Sequence, residues 1–299
     1  MSRFFWLIRR EIWENKSIWV APLIVLACLL LAFVTGIVHV GPFGSEAAAT
    51  PFGSLAPEKQ TKLLLVVYVG FAFVVYLVMG VIAFFYSLDA LYADRRDRSV
   101  LFWKSLPLSD AETVLSKFAT AVVVIPLVAL VGALLAQLIV AAGGSVMIAM
   151  SAEPNATVWQ HDAIVGAVTA VFVACGTAML WYAPLVAYLM LASAWAPKGP
   201  FLWAVLPPVA LSLLEKVVLG SGHVGNFVAD RIRGPMRLLE SGMHADPGGD
   251  GTTLRLSEIN IAASLKEFYS SPELWLGVIA AGLLLAGAVW VRRYRDETT

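Results

Sequence analysis

The stretch that decides the fold is residues 89–118, which read DALYADRRDRSVLFWKSLPLSDAETVLSKF. It is a strongly charged interruption between two long apolar runs. Pro107 cannot continue a helix, so one element is predicted to end just before it. Ser109 followed by Glu112 has the spacing of a capping box, which predicts that a new helix begins at Asp110. The sequence therefore predicts two long apolar helices joined by a charged loop.

A short apolar segment lies inside this loop, at residues 97–106. Its side chains are Val100, Leu101, Phe102, Trp103 and Leu106, beside Arg98, Lys104 and Ser105. A helix of this length is marginal alone in water, so it needs a membrane or a partner protein to lie against. The simpler alternative is an ordinary cytoplasmic loop, since such loops are usually rich in Lys and Arg.

The composition of the whole chain indicates a polytopic membrane protein. Of its 299 residues, 59% are hydrophobic and 14% are charged, and the mean hydropathy is +0.79. These values are too apolar for a soluble domain. The 21 basic and 21 acidic residues cancel, so no overall field indicates nucleic acid as a partner. Cys28 and Cys175 lie in apolar runs, which favours unpaired thiols.

We predict an all-α protein whose apolar runs form six transmembrane helices. The spans are expected at about residues 18–40, 63–88, 110–142, 163–194, 201–219 and 274–291. Residues 1–17 are amphipathic and predict an interfacial elbow helix, with a plain cytoplasmic extension as the alternative. Residues 18–299 are then a single transmembrane domain with a loop at 89–112 and an external segment at 220–272.

Local features of the spans and of the external segment also follow from the sequence. Gly143 and Gly144 are expected to end the third span, and Pro184 to kink the fourth. The external segment predicts short amphipathic helices within residues 226–239. A solvated loop is the alternative for that segment.

The distribution of Lys and Arg predicts the orientation. Twelve of them flank the spans on the side of both termini and the 89–112 loop, against seven on the other side. Five of those seven lie in the long 220–272 segment, where the bias carries less information. Both termini are therefore expected to be cytoplasmic.

The charged loop resembles the loop between the second and third spans of type-2 ATP-binding-cassette exporter permeases. The resemblance is carried by an acidic–Arg–Arg–Asp run, a short apolar segment, Ser-Leu-Pro-Leu-Ser and a following Ser-Lys. The matching residues are Asp94, Arg95, Arg96, Asp97, Leu101, Leu106, Pro107, Ser109 and Lys117. The elbow helix and the number of spans agree with the same family.

The resemblance implies a permease subunit whose loop forms a coupling helix docked on a separate ATPase subunit. The implied coupling residues are Asp94, Arg95, Arg96, Asp97, Leu101, Phe102, Trp103, Lys104, Leu106 and Pro107. ATP and Mg would be bound by the partner, and this chain would hold no cofactor. The family also implies a second permease copy in a homodimer, contact with membrane lipid and a bacterial inner membrane.

The other candidate residues carry weaker hypotheses. Gln137, Glu215 and Lys216 are polar groups near or within spans, and they predict a substrate path. The chain has no G-x-x-x-x-G-K-[ST] phosphate loop, which argues against an ATP-hydrolysing enzyme. The alternatives are a transporter-like membrane anchor or sensor without flux, and an intramembrane metal-handling protein or enzyme. A metal-handling protein would use external histidines and methionines as ligands, although no ligand spacing in the sequence predicts a metal site.

Overall fold

The computed structural model describes residues 3–35, 52, 55–97, 109–151, 157–234 and 261–295. Helices make up all the regular structure in these ranges, and six of them are long and apolar enough to cross a membrane. The prediction of a polytopic all-α membrane protein with six transmembrane helices is therefore confirmed. Part of the predicted coupling helix, residues 99–106, lies outside the described residues.

The described residues form twelve α-helices and one π-helical turn. In chain order they are α1 (Arg3–Glu14), α2 (Ser17–Val34), α3 (Pro57–Asp89), α4 (Tyr92–Arg96), α5 (Asp110–Ala119), a π-helical turn (Thr120–Val124), α6 (Ile125–Ser151), α7 (His161–Trp181), α8 (Ala183–Trp195), α9 (Pro200–Val218), α10 (His223–Arg233), α11 (Ile261–Ser270) and α12 (Pro272–Arg295). α5, the π-helical turn and most of α6 form one continuous candidate span over Asp110–Ala149. α1 lies within the predicted elbow segment, and α10 and α11 lie within the predicted external segment.

Several helix boundaries in the structure differ from the predicted ones. The prediction that Gly143 and Gly144 end the third span is wrong, because α6 continues to Ser151. Glycine in a helix interior costs only about 1 kcal/mol relative to alanine, which neighbouring apolar contacts offset. At Gly143 the contact is the ring of Phe33, which occupies the space that a Cβ atom would need.

The fourth predicted span is divided in two. α7 ends at Trp181 and α8 begins at Ala183, with Pro184 in the first turn of α8. Proline at that position gives up an N–H that would be unpaired in any case, so it starts a helix more readily than it continues one. The kink predicted at Pro184 is thus a break at Tyr182.

The chain divides into two compact units. The first comprises Met1–Asn15, Ile82–Ile125 and Thr177–Thr299, and the second comprises Lys16–Val81 and Pro126–Gly176. In the first unit, Leu88, Leu189, Ala192 and Ala204 form one buried cluster, and Trp181, Phe268 and Leu274 form another.

The second unit is packed through small residues and a few polar contacts between helices. Ala133 and Ala163 are fully buried, and small side chains of this kind let membrane helices approach closely. The hydroxyl of Tyr76 donates to the carbonyl of Val171 at 3.0 Å. Such bonds satisfy polar groups where water is absent.

Gly132 marks a close contact between helices in this unit. A Cβ atom at Gly132 would lie 3.1 Å from Val75 Cγ1 and 3.3 Å from Pro22 Cβ. We expect Gly132→Leu to destabilise the protein by about 1–3 kcal/mol, because the larger side chain overpacks the contact. Thermal unfolding in detergent measures the loss. Gly70→Leu is the matched control, since a Cβ atom there meets nothing within 4 Å. Equal Tm values for the two variants would contradict this packing.

Candidate functional site

Lys117 lies at the centre of a buried group of charges in the first unit. Its ammonium is 3.1 Å from Glu11 Oε1 and 3.4 Å from Asp94 Oδ1, and the side chain is 5% exposed. The two carboxylates come from distant parts of the chain, α1 and α4. One cation therefore joins the N-terminal helix and the loop after α3 to the start of the third span.

Arg292 extends this group to the last span. Its Nη1 donates to Asp94 Oδ2 at 2.9 Å, and its Nε donates to Asp110 Oδ1 at 3.2 Å. Asp94 thus accepts one charged group at each carboxylate oxygen. We call Glu11, Asp94, Lys117 and Arg292 the ion cluster. Its two acids and two bases balance, which is what burial of charge requires.

Neighbouring groups complete the hydrogen bonding of the ion cluster. The hydroxyl of Tyr86 donates to Glu11 Oε2 at 2.9 Å, and Arg10 Nη2 lies 3.8 Å from Glu11 Oε1. Burial, the largest single effect, lowers the pKa of Arg10, but its hydrogen bond to Glu14 and the nearby carboxylates outweigh burial and raise it. Both oxygens of the Glu11 carboxylate are thus occupied within the chain.

The local sequence explains how Asp110 and Lys117 come to face Arg292 and Asp94. The hydroxyl of Ser109 accepts from the Glu112 amide at 3.1 Å, and the Glu112 carboxylate accepts from the Ser109 amide at 2.9 Å. The predicted capping box is therefore confirmed, and it fixes the first turn of α5. Asp110 and Lys117 are seven residues apart, about two helical turns, so both lie on the face that meets Arg292 and Asp94.

A second set of contacts holds α4 against the end of α8. The hydroxyl of Ser193 accepts from the backbone amides of Leu91 and Tyr92, at 3.1 and 2.9 Å. It satisfies donors at the start of α4, where no side chain of the helix itself forms a cap. Arg95 donates to the carbonyl oxygens of Ser193 and Ala196, at 2.6 and 2.9 Å. These contacts fix α4 so that Asp94 faces the ion cluster.

The four charged residues at the start of the predicted coupling motif, residues 94–97, divide into two pairs. Asp94 and Arg95 make contacts within the chain, as described above. Arg96 and Asp97 point outward, with side chains 54% and 61% exposed, and pair with each other at 3.0 Å. The other predicted coupling residues, Leu101, Phe102, Trp103, Lys104, Leu106 and Pro107, lie outside the described residues.

Two of the three residues predicted for a substrate path make hydrogen bonds within the chain. Gln137 is buried and donates from Nε2 to the carbonyl of Ala167 at 3.1 Å. The Glu215 carboxylate accepts from the Ser221 hydroxyl and from the backbone amides of His223 and Val224, each at 2.7 Å. It therefore caps the start of α10. Lys216 is exposed. Within the described ranges, no three His, Cys, Asp or Glu side chains are grouped to hold a metal ion.

Sequence reasoning missed Glu11, Tyr86 and Arg292 as members of one site. Each looks ordinary in the sequence: Glu11 is one of several charges in an amphipathic helix, and Arg292 belongs to a basic terminus. The sequence did carry one indication of a buried charged site. Asp110 and Lys117 are two charged residues on one face of a helix that enters the membrane. The partners of that pair come from remote segments, so spacing does not reveal them.

The π-helical turn directly after Lys117 was also missed. Thr120 begins it and is fully buried, and its hydroxyl donates to the Ser116 carbonyl at 2.9 Å. Single π-helical turns inside α-helices occur frequently at functional sites. No residue pattern in Thr120–Val124 distinguishes this turn from ordinary α-helix.

We expect Lys117→Met to destabilise the protein by about 3–5 kcal/mol, because it leaves two buried carboxylates without their shared cation. Unfolding in mixed micelles measures the loss. Lys62→Met is the matched control, because Lys62 pairs with Glu58 on the surface at 2.6 Å, with the Glu58 side chain 72% exposed. Exposed pairs contribute less than about 1 kcal/mol. A similar small loss for both variants would contradict the buried role of Lys117.

Comparison with known protein families gives a match to residues in the middle of the chain. The family model described as ABC-2 family transporter protein matches residues 58–181, from the start of α3 to the end of α7. That range includes the charged loop. It also includes Asp94 and Lys117 of the ion cluster and Asp110, which bonds to Arg292. No curated protein and no solved structure matches the chain. Over residues 58–181 the chain is similar to the ABC-2 family transporter proteins, and this match supports the resemblance to the type-2 ATP-binding-cassette permeases.

Proposed function

We propose that this chain is the membrane-spanning subunit of an ATP-driven exporter and couples to a separate ATPase subunit through the 89–112 loop. The observation that carries the proposal is the match to the ABC-2 transporter family over a range that contains this loop. The partner would bind and hydrolyse ATP with Mg. Two permease copies would form the path between them, in a bacterial inner membrane with both termini cytoplasmic.

The ion cluster supports a mechanical role for the loop. Asp94 lies at the start of the loop, and its carboxylate contacts both Lys117 in the third span and Arg292 in the last span. Lys117 in turn contacts Glu11 in α1. A displacement of Asp94 would therefore reach two spans and the N-terminal helix through short charged contacts.

The exposed pair Arg96–Asp97 provides charges with which a partner subunit could form ion pairs. Both side chains are more than half exposed, and both precede the apolar segment at residues 99–106. Charged groups at the edge of an interface set its register and its association rate. Phe102 and Trp103 would then supply the aromatic anchors that interfaces use for affinity.

The π-helical turn supports a place where the third span changes shape. It lies between α5, which contains Lys117, and the longer α6. A π-helical turn carries an extra residue, so the helix can change register there without breaking the hydrogen bonds of a whole span. Motion of the loop would rotate α5 about this turn, and α6 would line or gate the path.

A membrane anchor or sensor without flux is the alternative function. It would use the same ion cluster and the same loop, and it differs only in lacking substrate movement. Substrate-dependent transport by the assembled complex separates the two functions.

We expect Trp103→Ala and Leu101→Asp to weaken binding of the ATPase subunit by about thirtyfold or more, the usual effect at an interface hot spot. The chain is purified from its native membrane with the ATPase subunit that accompanies it, and binding and ATP hydrolysis are then measured in nanodiscs. Trp290→Ala is the control, since Trp290 is an exposed aromatic residue on the last span, at 64% exposure.

If residues 99–106 contact only lipid, all three variants will bind the ATPase equally well. Full binding and full transport by both loop variants would show that the coupling assignment is wrong. The chain without its partner should hydrolyse no ATP above background, which serves as the baseline of the assay.

A further inference from the structure

Arg231 is a cation buried among aromatic side chains, far from the ion cluster. It lies in α10, and 9% of its surface is exposed. Its guanidinium lies 4.4 Å from the centre of the Trp181 ring. Stacking of this kind favours a cation over an indole face but leaves the N–H groups at the edge of the guanidinium able to donate.

Two glycines make room for this stack. A Cβ atom on Gly277 of α12 would collide with the guanidinium of Arg231, and a Cβ atom on Gly234 would collide with the indole of Trp181. The backbone on one side therefore lies directly against the arginine, and on the other side directly against the tryptophan. Any larger residue at either position would displace one of the two side chains.

Hydrogen bonds hold the stack in place. Trp181 Nε1 donates to the backbone carbonyl of Arg231 at 2.8 Å, and the Tyr182 hydroxyl donates to the carbonyl of Ile232 at 3.0 Å. Phe268 lies 5.6 Å from the Trp181 ring, and Leu274 is fully buried in the same apolar cluster. The end of α10 is thus fixed to α7, α11 and α12.

The charge of Arg231 is poorly compensated by its surroundings. No described residue accepts a hydrogen bond from the guanidinium, and within the described ranges no carboxylate forms an ion pair with it. Burial lowers the pKa of Arg231, and the charge of Glu273 offsets only part of this effect. A buried cation in such a place costs free energy unless an anion approaches it.

The position along α12 places the stack near the end of the last span that is opposite to Arg292. Gly277 and Arg292 are fifteen residues apart in one helix, which corresponds to about 22 Å. Gly277 is five residues from Pro272, where α12 begins. The ends of a span lie close to lipid headgroups, so the guanidinium can meet an anionic one there.

We propose that Arg231 binds the anionic headgroup of an amphiphile. The planar guanidinium suits the oxygens of a phosphate or carboxylate, because it donates two parallel hydrogen bonds. The next residue, Ile232, is 56% exposed and offers the apolar tail a surface outside the filled aromatic cluster. If the chain is an exporter subunit, this site names anionic amphiphiles as the class of cargo. The binding of the amphiphile itself does not rest on the proposed function.

Lipid retention by the full chain alone tests the site. The protein is purified in nanodiscs of equal parts phosphatidylglycerol and phosphatidylcholine, and bound lipid is measured by native mass spectrometry. We expect the unmodified chain to retain phosphatidylglycerol preferentially, and Arg231→Gln to lower that preference about tenfold. Arg233→Gln is the matched control, because Arg233 is exposed on the same helix. It should leave the preference unchanged.

Further arms separate the ligand chemistries. Arg231→Lys keeps the charge but loses the paired donors, so it should retain an intermediate preference. Inorganic phosphate should not displace the lipid at millimolar concentration. Displacement by phosphate would overturn the amphiphile as ligand. The absence of a preference for phosphatidylglycerol in the unmodified chain would overturn the site. Equal losses of preference in the Arg231→Gln and Arg233→Gln variants would also overturn it. The measurement on the unmodified chain stands even if a variant fails to fold. Because no ATPase is present, failure here leaves the test of the coupling segment unaffected.

Discussion

The contact of Lys117 with Glu11 and Asp94 is the interaction on which the first unit depends. Three charged groups from three separated segments meet where water has little access, and Arg292 adds a fourth from the last span. Each group is costly to bury alone, so the helices that carry them are favoured only when they come together. The ion cluster therefore acts as a specific junction in a protein whose remaining contacts are mostly apolar and less selective.

This junction also gives the proposed mechanism its physical basis. Apolar helices in a membrane slide past one another easily, because lipid and neighbouring side chains offer similar contacts. Charged contacts between α4, α5 and α12 resist such sliding, so those helices move together. In the proposed mechanism, the π-helical turn after Lys117 is the point where motion of the loop would change the course of the third span. The Arg231–Trp181 stack performs a comparable fixing role near the other end of α12.

The sequence allowed prediction of the parts that depend on local chemistry. The number of spans follows from apolar runs, and the start of α5 follows from Ser109 and Glu112. The end of the third span was predicted wrongly, because the Phe33 contact that accommodates Gly143 is a property of the packed structure. The contacts of Asp94 with Lys117 and Arg292 are likewise a property of the packed structure. No local pattern indicates that Glu11 and Arg292, which are 281 residues apart in the printed sequence, belong to one cluster.

A double-mutant cycle between Asp94 and Arg292 tests the central claim most directly. The free energy of unfolding is measured in mixed micelles for Asp94→Asn, Arg292→Gln and the combined variant. If the two side chains form one buried ion pair, the second substitution costs less once the first is made, and the coupling energy is about 1–3 kcal/mol. Losses that add to within about 0.5 kcal/mol would show that the two residues are independent, and would contradict the ion cluster as the junction of these helices.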